Sequence, residues 1–269
     1  MRNFKNKVVV VTGAAGGLGK AICRRFAKAG AQIAATDMIP DQVEALEKEL
    51  KGAGVPCKGY VLDVTDEDAC WKVMESVVKD MGRIDVLVNN AGITHRSAFQ
   101  ETRTAVYRKV MDVNFFGSLY CTKAAIDQLI KNKGAITVIS SVAGVSPLLG
   151  RTGYSASKHA LHGLFGSLRS EMSDKGVDVT IVCPGFTKTN IDKAALDFDG
   201  KPTKNPQSTV GKIATPQETA QEVFFATARQ KPLAVLSMVG KLSWIIHRLH
   251  PPLFERIMTN SVKHELEHD

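Results

Sequence analysis

The chain has 269 residues, 44% of them apolar and 23% charged, with a formal net charge of +8. That is the composition of a soluble globular protein with enough residues for one large core, and it excludes disorder as the default for any long stretch. The positive excess is spread along the chain rather than gathered into a stripe, which argues against a nucleic-acid groove, and no apolar run approaches the ~18 residues of a membrane span. The five cysteines are odd in number and include no C-x-x-C pair. They read as buried thiols in a reducing compartment, with no disulfide framework and no metal site expected. After the basic start at Met1–Lys7 come only four valines, too few for a signal-peptide core, so a cytoplasmic protein is expected.

Short β-branched runs alternate with longer segments of helical period. Strands are predicted over Lys7–Val11, Gln32–Thr36, Cys57–Val61, Ile84–Val88, Ala135–Ile139, Asp178–Val182 and Leu233–Met238. Most are apolar at nearly every position, as strands covered on both faces are. Between them, Leu18–Ala29, Asp41–Lys51, Asp66–Met81 and Ser157–Lys175 carry apolar residues at three- and four-residue spacing. The alternation predicts a doubly wound, Rossmann-type α/β fold: a parallel sheet of about seven strands with helices on both faces, in one domain over residues 1–239.

The first strand runs directly into Thr12-Gly13-Ala14-Ala15-Gly16-Gly17-Leu18-Gly19. Glycines between a strand and a helix let backbone amides approach a pyrophosphate at the positive end of the helix. Helix–strand packing also requires small residues, so the turn by itself leaves both readings open. Asp37, at the end of the second strand, weighs for the first. A carboxylate there can accept hydrogen bonds from both adenosine ribose hydroxyls, and it repels a 2′-phosphate. No basic residue lies at Ala14, Ala15 or Gly16, and Met38 follows Asp37. The expected cofactor is therefore NAD rather than NADP.

Further along stands Tyr154-Ser155-Ala156-Ser157-Lys158. On a helix, positions i and i+4 share a face, so the lysine ammonium can stabilise a phenolate and lower a tyrosine pKa ordinarily near about 10. A tyrosine so tuned exchanges a proton with an alcohol or carbonyl while hydride moves to or from a nicotinamide. His159 and His162 follow on the same helix and read as packing or surface residues. His95 reads equally as a border of the substrate pocket or as an interior residue. No G-x-S-x-G elbow is present, which argues against a hydrolase.

The pattern T-G-x-x-x-G-x-G at Thr12–Gly19 resembles that of the short-chain dehydrogenases/reductases. Asp63-Val64, Asn89-Asn90-Ala91-Gly92, Asn114, Ser141, Tyr154-x-x-x-Lys158 and Pro184-Gly185 continue the likeness in family order over about residues 5–190. The resemblance implies that Asn114, Ser141, Tyr154 and Lys158 are catalytic. Ser141, favoured over Ser140 by register, would stabilise charge on the substrate oxygen, and Asn114 would hold a water beside Lys158. It further implies cofactor contacts from Gly13, Gly17, Leu18, Gly19, Asp37, Asp63, Val64, Asn90, Ala91 and Gly92. Tyr154, Lys158, Pro184, Gly185, Thr187 and Thr189 would complete that set. Asp63 would meet the adenine amino group, Asn90 and Gly92 the adenosine side, and Thr189 the carboxamide, while Asn89 and Thr12 would tie strands together.

Residues 187–215, rich in Lys, Asp, Pro and Asn, are expected to form a loop with some short helix that closes over the substrate. After Gly240 the chain departs from the family's usual ending. Leu242, Ile245, Ile246 and Leu249 repeat at helical spacing, and a second helix is expected from Pro252. This extension, 240–269, has three readings: packing on its own domain or a partner, capping an apolar substrate channel, or resting on a membrane surface through Trp244 and flanking cations. The leading expectation is an NAD-dependent oxidoreductase for an apolar secondary alcohol or ketone, working as a homodimer or homotetramer. A catalytically silent dinucleotide-binding regulator and an NADP-dependent carbonyl reductase are the alternatives.

Overall fold

The computed structural model describes residues 1–189, 191, 194–204 and 207–265. The strands are β1 (Val8–Thr12), β2 (Gln32–Asp37), β3 (Cys57–Val61), β4 (Val86–Asn89), β5 (Ala135–Ile139), β6 (Asp178–Cys183) and β7 (Leu233–Val235). The helices are α1 (Gly17–Ala27), α2 (Pro40–Gly52), α3 (Glu67–Met81), α4 (Thr104–Met111), α5 (Gly117–Lys131), α6 (Thr152–Met172), α7 (Pro216–Ala228), α8 (Met238–Leu249) and α9 (Pro251–Val262). The strands form one parallel sheet in the order β3-β2-β1-β4-β5-β6-β7. This is the doubly wound fold that the strand–helix alternation predicts.

The unbroken valines of β1 show why. Val9 and Val11 point into the layer holding α1, α2 and α7, while Val8 and Val10 point into the layer holding α3, α5 and α6. A strand buried on both faces has no polar side to present, so its sequence loses the period-two alternation. In the first layer Phe26 of α1 sits between Phe4 and Phe224 of α7, with ring centroids 5.0 and 5.2 Å away. The strand order reverses between β1 and β4, and the crevice beyond their C-terminal ends is where open α/β sheets place ligands.

Three local expectations need correction. β7 stops at Val235 rather than Met238, because Ser237 accepts a hydrogen bond from the Gly240 amide at 2.9 Å and caps α8. α6 begins at Thr152, which puts Tyr154 in its first turn. The 187–215 segment forms no short helix among its described residues; Asn190, Asp192, Lys193, Asn205 and Pro206 lie outside them. Its middle is pinned instead by backbone bonds: Leu196 N to Thr94 O at 2.9 Å, Arg96 N to Leu196 O at 2.8 Å and Arg103 N to Phe198 O at 3.0 Å. All five cysteines are free and buried, and no helix among the described residues is long and apolar enough to cross a membrane.

The extension folds as an α8–α9 hairpin against the domain that precedes it. Trp244 packs into the second core layer, Phe254 and Val262 are buried, and the Leu149 amide lies 3.3 Å from Met258 Sδ. Replacing Phe26 by Ala should cost about 3–5 kcal/mol in denaturant unfolding. Phe99→Ala, at a ring 73% exposed, should stay within about 0.5 kcal/mol.

Candidate active site

Site geometry starts at the end of β1. Gly13 has φ +62°, and a Cβ there would stand 2.9 Å from Ala91 Cα. At Gly19 a Cβ would stand 2.1 Å from the Gly13 carbonyl oxygen. Only glycine fits either place, and the backbone closes into a tight turn under α1. Helix α1 has no side-chain cap and no acidic residue in its first turn. The amides of Gly17, Leu18 and Gly19 therefore point at an uncompensated positive helix end, a cradle suited to a pyrophosphate. Thr189 lies directly above it, with its Cγ2 3.3 Å from where a Gly17 Cβ would be. The start of the loop after β6 thus closes on the glycine turn.

Asp37 reaches the same turn. Its Oδ2 accepts from the Ala15 amide at 3.0 Å and its Oδ1 lies 3.4 Å from the Ile39 amide. The carboxylate therefore braces the cradle. Asn90 is a second brace. Its Nδ2 donates to the carbonyls of Thr12 at 2.9 Å and Gly13 at 3.1 Å. The family likeness points Asn90 at the adenosine, whereas here its side-chain donors are spent on the turn itself. Thr12 ties β1 to the loop after β4, accepting from the amides of Asn90 and Ala91 at 3.0 Å each. Asn89 does not tie strands: its Nδ2 donates to Thr122 of α5 at 2.9 Å. Asp63 Oδ1 is taken up by the amide and hydroxyl of Thr65 at 2.9 and 2.8 Å, and Val64 packs on Gly117.

Beyond β4 the loop arrives at the second cluster. Gly92 lies at this cluster: a Cβ would stand 3.1 Å from Asn114 Oδ1 and 3.4 Å from Lys158 Nζ. Asn114 sits in a π-helical turn, Asp112–Phe116, between α4 and α5. Its Nδ2 donates to Ile93 O at 3.0 Å and Ser157 Oγ at 2.9 Å, and its Oδ1 accepts from Ile93 N at 2.8 Å. Both amide protons are used, so the side chain serves as a clamp on the β4 loop and α6 rather than as a donor to water.

Lys158 is buried at 4% exposure and donates to Ile139 O at 2.9 Å. Burial lowers its pKa to about 8. One turn earlier, half-buried Tyr154 presents its ring 5.7 Å from that ammonium. Ser141 opens the 3₁₀ turn Val142–Gly144 after β5, accepting from Ala143 N at 3.1 Å. Ser140 points away, its hydroxyl 2.9 Å from His162 Nε2 and buried. Of the two serines, Ser141 is the more exposed and so the one open to a substrate. Pro184 O accepts from the Val142 amide at 3.1 Å, Gly185 faces Ser237, and Thr187 Oγ1 lies 3.0 Å from Thr219 Oγ1.

His95 takes the interior one of its two readings. It is 0% exposed, and its Nε2 accepts from the Gly153 amide at 2.8 Å, satisfying a first-turn donor of α6. Desolvation, helped by Arg151, lowers its pKa to about 4 and keeps the ring neutral; burial does the same to His162, also to about 4.

One group has no motif to announce it. Glu265, 1% exposed, puts its Oε2 2.6 Å from Arg151 NH2 and 3.7 Å from Arg96 Nε, and its Oε1 accepts from the Ser208 amide at 2.5 Å. This buried pairing fastens the end of the chain to the start of α6 and to the loop after β6. Charged residues more than a hundred positions apart carry no spacing signal, so only the fold reveals it.

A doubly wound sheet with a glycine cradle at the switch point, and a Ser141–Tyr154–Lys158 set across from it, defines a Rossmann-type dehydrogenase architecture. Residues 7–199 match the short chain dehydrogenase family, and the chain belongs to that family. It is 37% identical over 264 residues to dehydrogenase/reductase SDR family member 7B of Xenopus laevis, covering 95% of this chain and 82% of that one. A 3-oxoacyl-(acyl-carrier-protein) reductase of Thermotoga maritima is 34% identical over 238 residues, covering 88% and 96%. A short chain dehydrogenase/reductase from Burkholderia phymatum, solved in complex with NAD, shares the fold with TM-score 0.84 and 22% identity, covering 94% and 96%.

The buried neutral histidines give the fold an acid-sensitive window. Their folded pKa values of about 4 lie below the ordinary 6.5, so between those limits the unfolded chain binds more protons. Stability should fall with pH from about 6.5 to about 4, by up to about 1.4 kcal/mol per pH unit for each histidine. Denaturant unfolding across that range should show a shallower slope in His95→Gln, and an equal slope would contradict this origin.

Proposed function

We propose that the chain interconverts an apolar secondary alcohol and its ketone with NAD(H), and that Tyr154 is the general acid/base. The observation that carries this reading is the buried Lys158 ammonium beside the Tyr154 ring, with Ser141 at the end of the neighbouring strand. A bound nicotinamide supplies the position that accepts or gives hydride. The protein's part is the proton. Tyr154, as phenolate, takes the alcohol proton, and as phenol returns it to the carbonyl oxygen. Lys158 stabilises the phenolate, and the Ser141 hydroxyl bonds the same substrate oxygen while charge develops on it.

The Asp37 carboxylate supports NAD. It stands beside the cradle, and the exposed residues that follow it, Met38 and Ile39, carry no positive charge for a 2′-phosphate. The structural neighbour solved with NAD supports a nicotinamide dinucleotide as cofactor, without deciding between NAD and NADP. The composition after Ser141 supports an apolar substrate: Leu148 and Leu149 follow it in the chain, and Met258 of the α9 helix lies against the Leu149 amide. The relative named as a 3-oxoacyl reductase acts on a carbonyl, the functional group this arrangement suits.

A panel of alcohols and ketones of graded size, followed by nicotinamide absorbance, tests the reading. Tyr154→Phe should lower kcat by about 10²–10⁴ while NADH binding persists; wild-type turnover in that variant would sink the mechanism. Asp37→Ala should shift the ratio of kcat/KM for NAD over NADP toward NADP by about tenfold, equal to about 1.4 kcal/mol. An unchanged ratio would remove Asp37 from cofactor choice.

A further inference from the structure

Helix α8 carries a line of exposed aliphatic residues that the dehydrogenase site does not use. Met238, Leu242, Ile245 and Leu249 are 68%, 54%, 49% and 79% exposed. On α9, Leu253 and Ile257 are exposed as well. Loose packing does not explain the line, because the rotation of α8 is fixed. Gly240 is buried, and a Cβ there would stand 2.6 Å from Val142 Cγ2. With Gly240 turned inward at about 100° per residue, Trp244 and His247 also turn inward, and the four aliphatics fall about 140–200° away, on the outer side. Lys241 and Arg248 fall about 80–100° from Gly240, along one flank of the line.

Along the sequence, the charge between Glu222 and Glu255 is one-sided. From Val223 to Phe254 the sequence contains no Asp or Glu, while Arg229, Lys231, Lys241 and Arg248 all lie in that stretch. Three of these cations, Arg229, Lys231 and Lys241, line a cleft of about 380 Å³ between α7, the edge strand β7 and α8. Phe225, Leu233, Trp244 and Ile245 also line it, with Glu222 as its one carboxylate. An apolar ridge flanked by cations and an indole is the pattern that lies on a lipid surface, where long basic side chains reach headgroups and aliphatic ones enter the acyl boundary. A second copy of the same face would bring these cations against their own kind, which disfavours self-association here.

We infer that the α8 face, with the cation-lined cleft beside it, docks on the surface of an anionic phospholipid bilayer. The contact is peripheral, since no described helix can span a membrane. Helix α8 packs through Gly240 on Val142, next to Ser141. Docking therefore sets the catalytic turn close to the lipid surface. The inference rests on surface chemistry and not on the redox reading, and its test involves no turnover.

The test is sedimentation of the full chain with phosphatidylcholine vesicles, with and without phosphatidylserine, at low and high salt. The expected result is binding to the phosphatidylserine vesicles that weakens as salt rises. Lys241→Glu with Arg248→Glu should reduce it at least about tenfold, since each cation near such a surface is worth about fivefold. Leu242→Ser with Leu249→Ser should reduce it comparably, and unchanged thermal unfolding midpoints would show both variants folded. Absence of sedimentation with phosphatidylserine vesicles at low salt overturns the proposal, as does wild-type binding by both folded variants. A dimer in light scattering that the leucine variant dissociates, without vesicle binding, would assign the face to a second copy and overturn it too.

Discussion

The hydroxyl of Thr12 is the point from which the site is built. Two consecutive amides, those of Asn90 and Ala91, converge on it at 3.0 Å, and the Asn90 side chain returns to the carbonyls of Thr12 and Gly13. The loop after β4 is thereby locked to the loop after β1 across the place where strand order reverses. Buried backbone donors must find partners, and here they do so only when both loops adopt their site conformation. The cradle under α1 and the position of Gly92 follow from that one junction. So does the gap at Gly92, which a methyl group would close against Asn114 and Lys158.

From the junction the constraint passes to α6. Ile93 is gripped at both its N–H and its C=O by Asn114, whose remaining proton goes to Ser157 of α6. His95, two residues on, accepts the Gly153 amide and settles the first turn that holds Tyr154. A lysine so deeply buried loses hydration, and the lowered pKa of about 8 is the sign of that cost. It is tolerated because the Ile139 carbonyl accepts from the ammonium. Helix α6 is therefore positioned by neutral hydrogen bonds from Asn114 and His95 together with the Arg151–Glu265 ion pair at its start.

How much of this the sequence revealed depended on the range of the physics involved. Most of the strands were readable because burial on both faces leaves a local mark, runs such as Val8–Val11 with no polar position. The glycine turn was readable because steric exclusion acts over a few residues. The side-chain partners of Asn114 were not readable, since what a side chain bonds depends on the register between β4 and α6. The end of β7 was misplaced because Leu236, Ser237 and Met238 suit a strand as well as a capped helix, and Ser237 decides it only once the Gly240 amide is in reach. Glu265, Arg96 and Arg151 were invisible. Their association is a matter of long-range topology, and nothing local distinguishes them from surface charges.

The hairpin after β7 combines two opposite solutions to burial. At its end, Glu265 enters the interior as an ion matched by two guanidinium groups, an arrangement that is strongly destabilising to break from one side. At its start, Gly240 enters as the smallest possible side chain, letting α8 approach Val142 closely. Between these fixed points, Phe254, Val262 and Trp244 supply apolar contact with the domain. An element held at both ends and through its middle is not free to roll its aliphatic line inward. Leaving Leu242, Ile245 and Leu249 in water forfeits burial free energy of roughly 1.5–3 kcal/mol for each side chain if fully buried. Rotating α8 to recover it would drive a side chain larger than glycine into Val142. The exposed face is thus a consequence of the same close packing that brings α8 against the turn after Ser141.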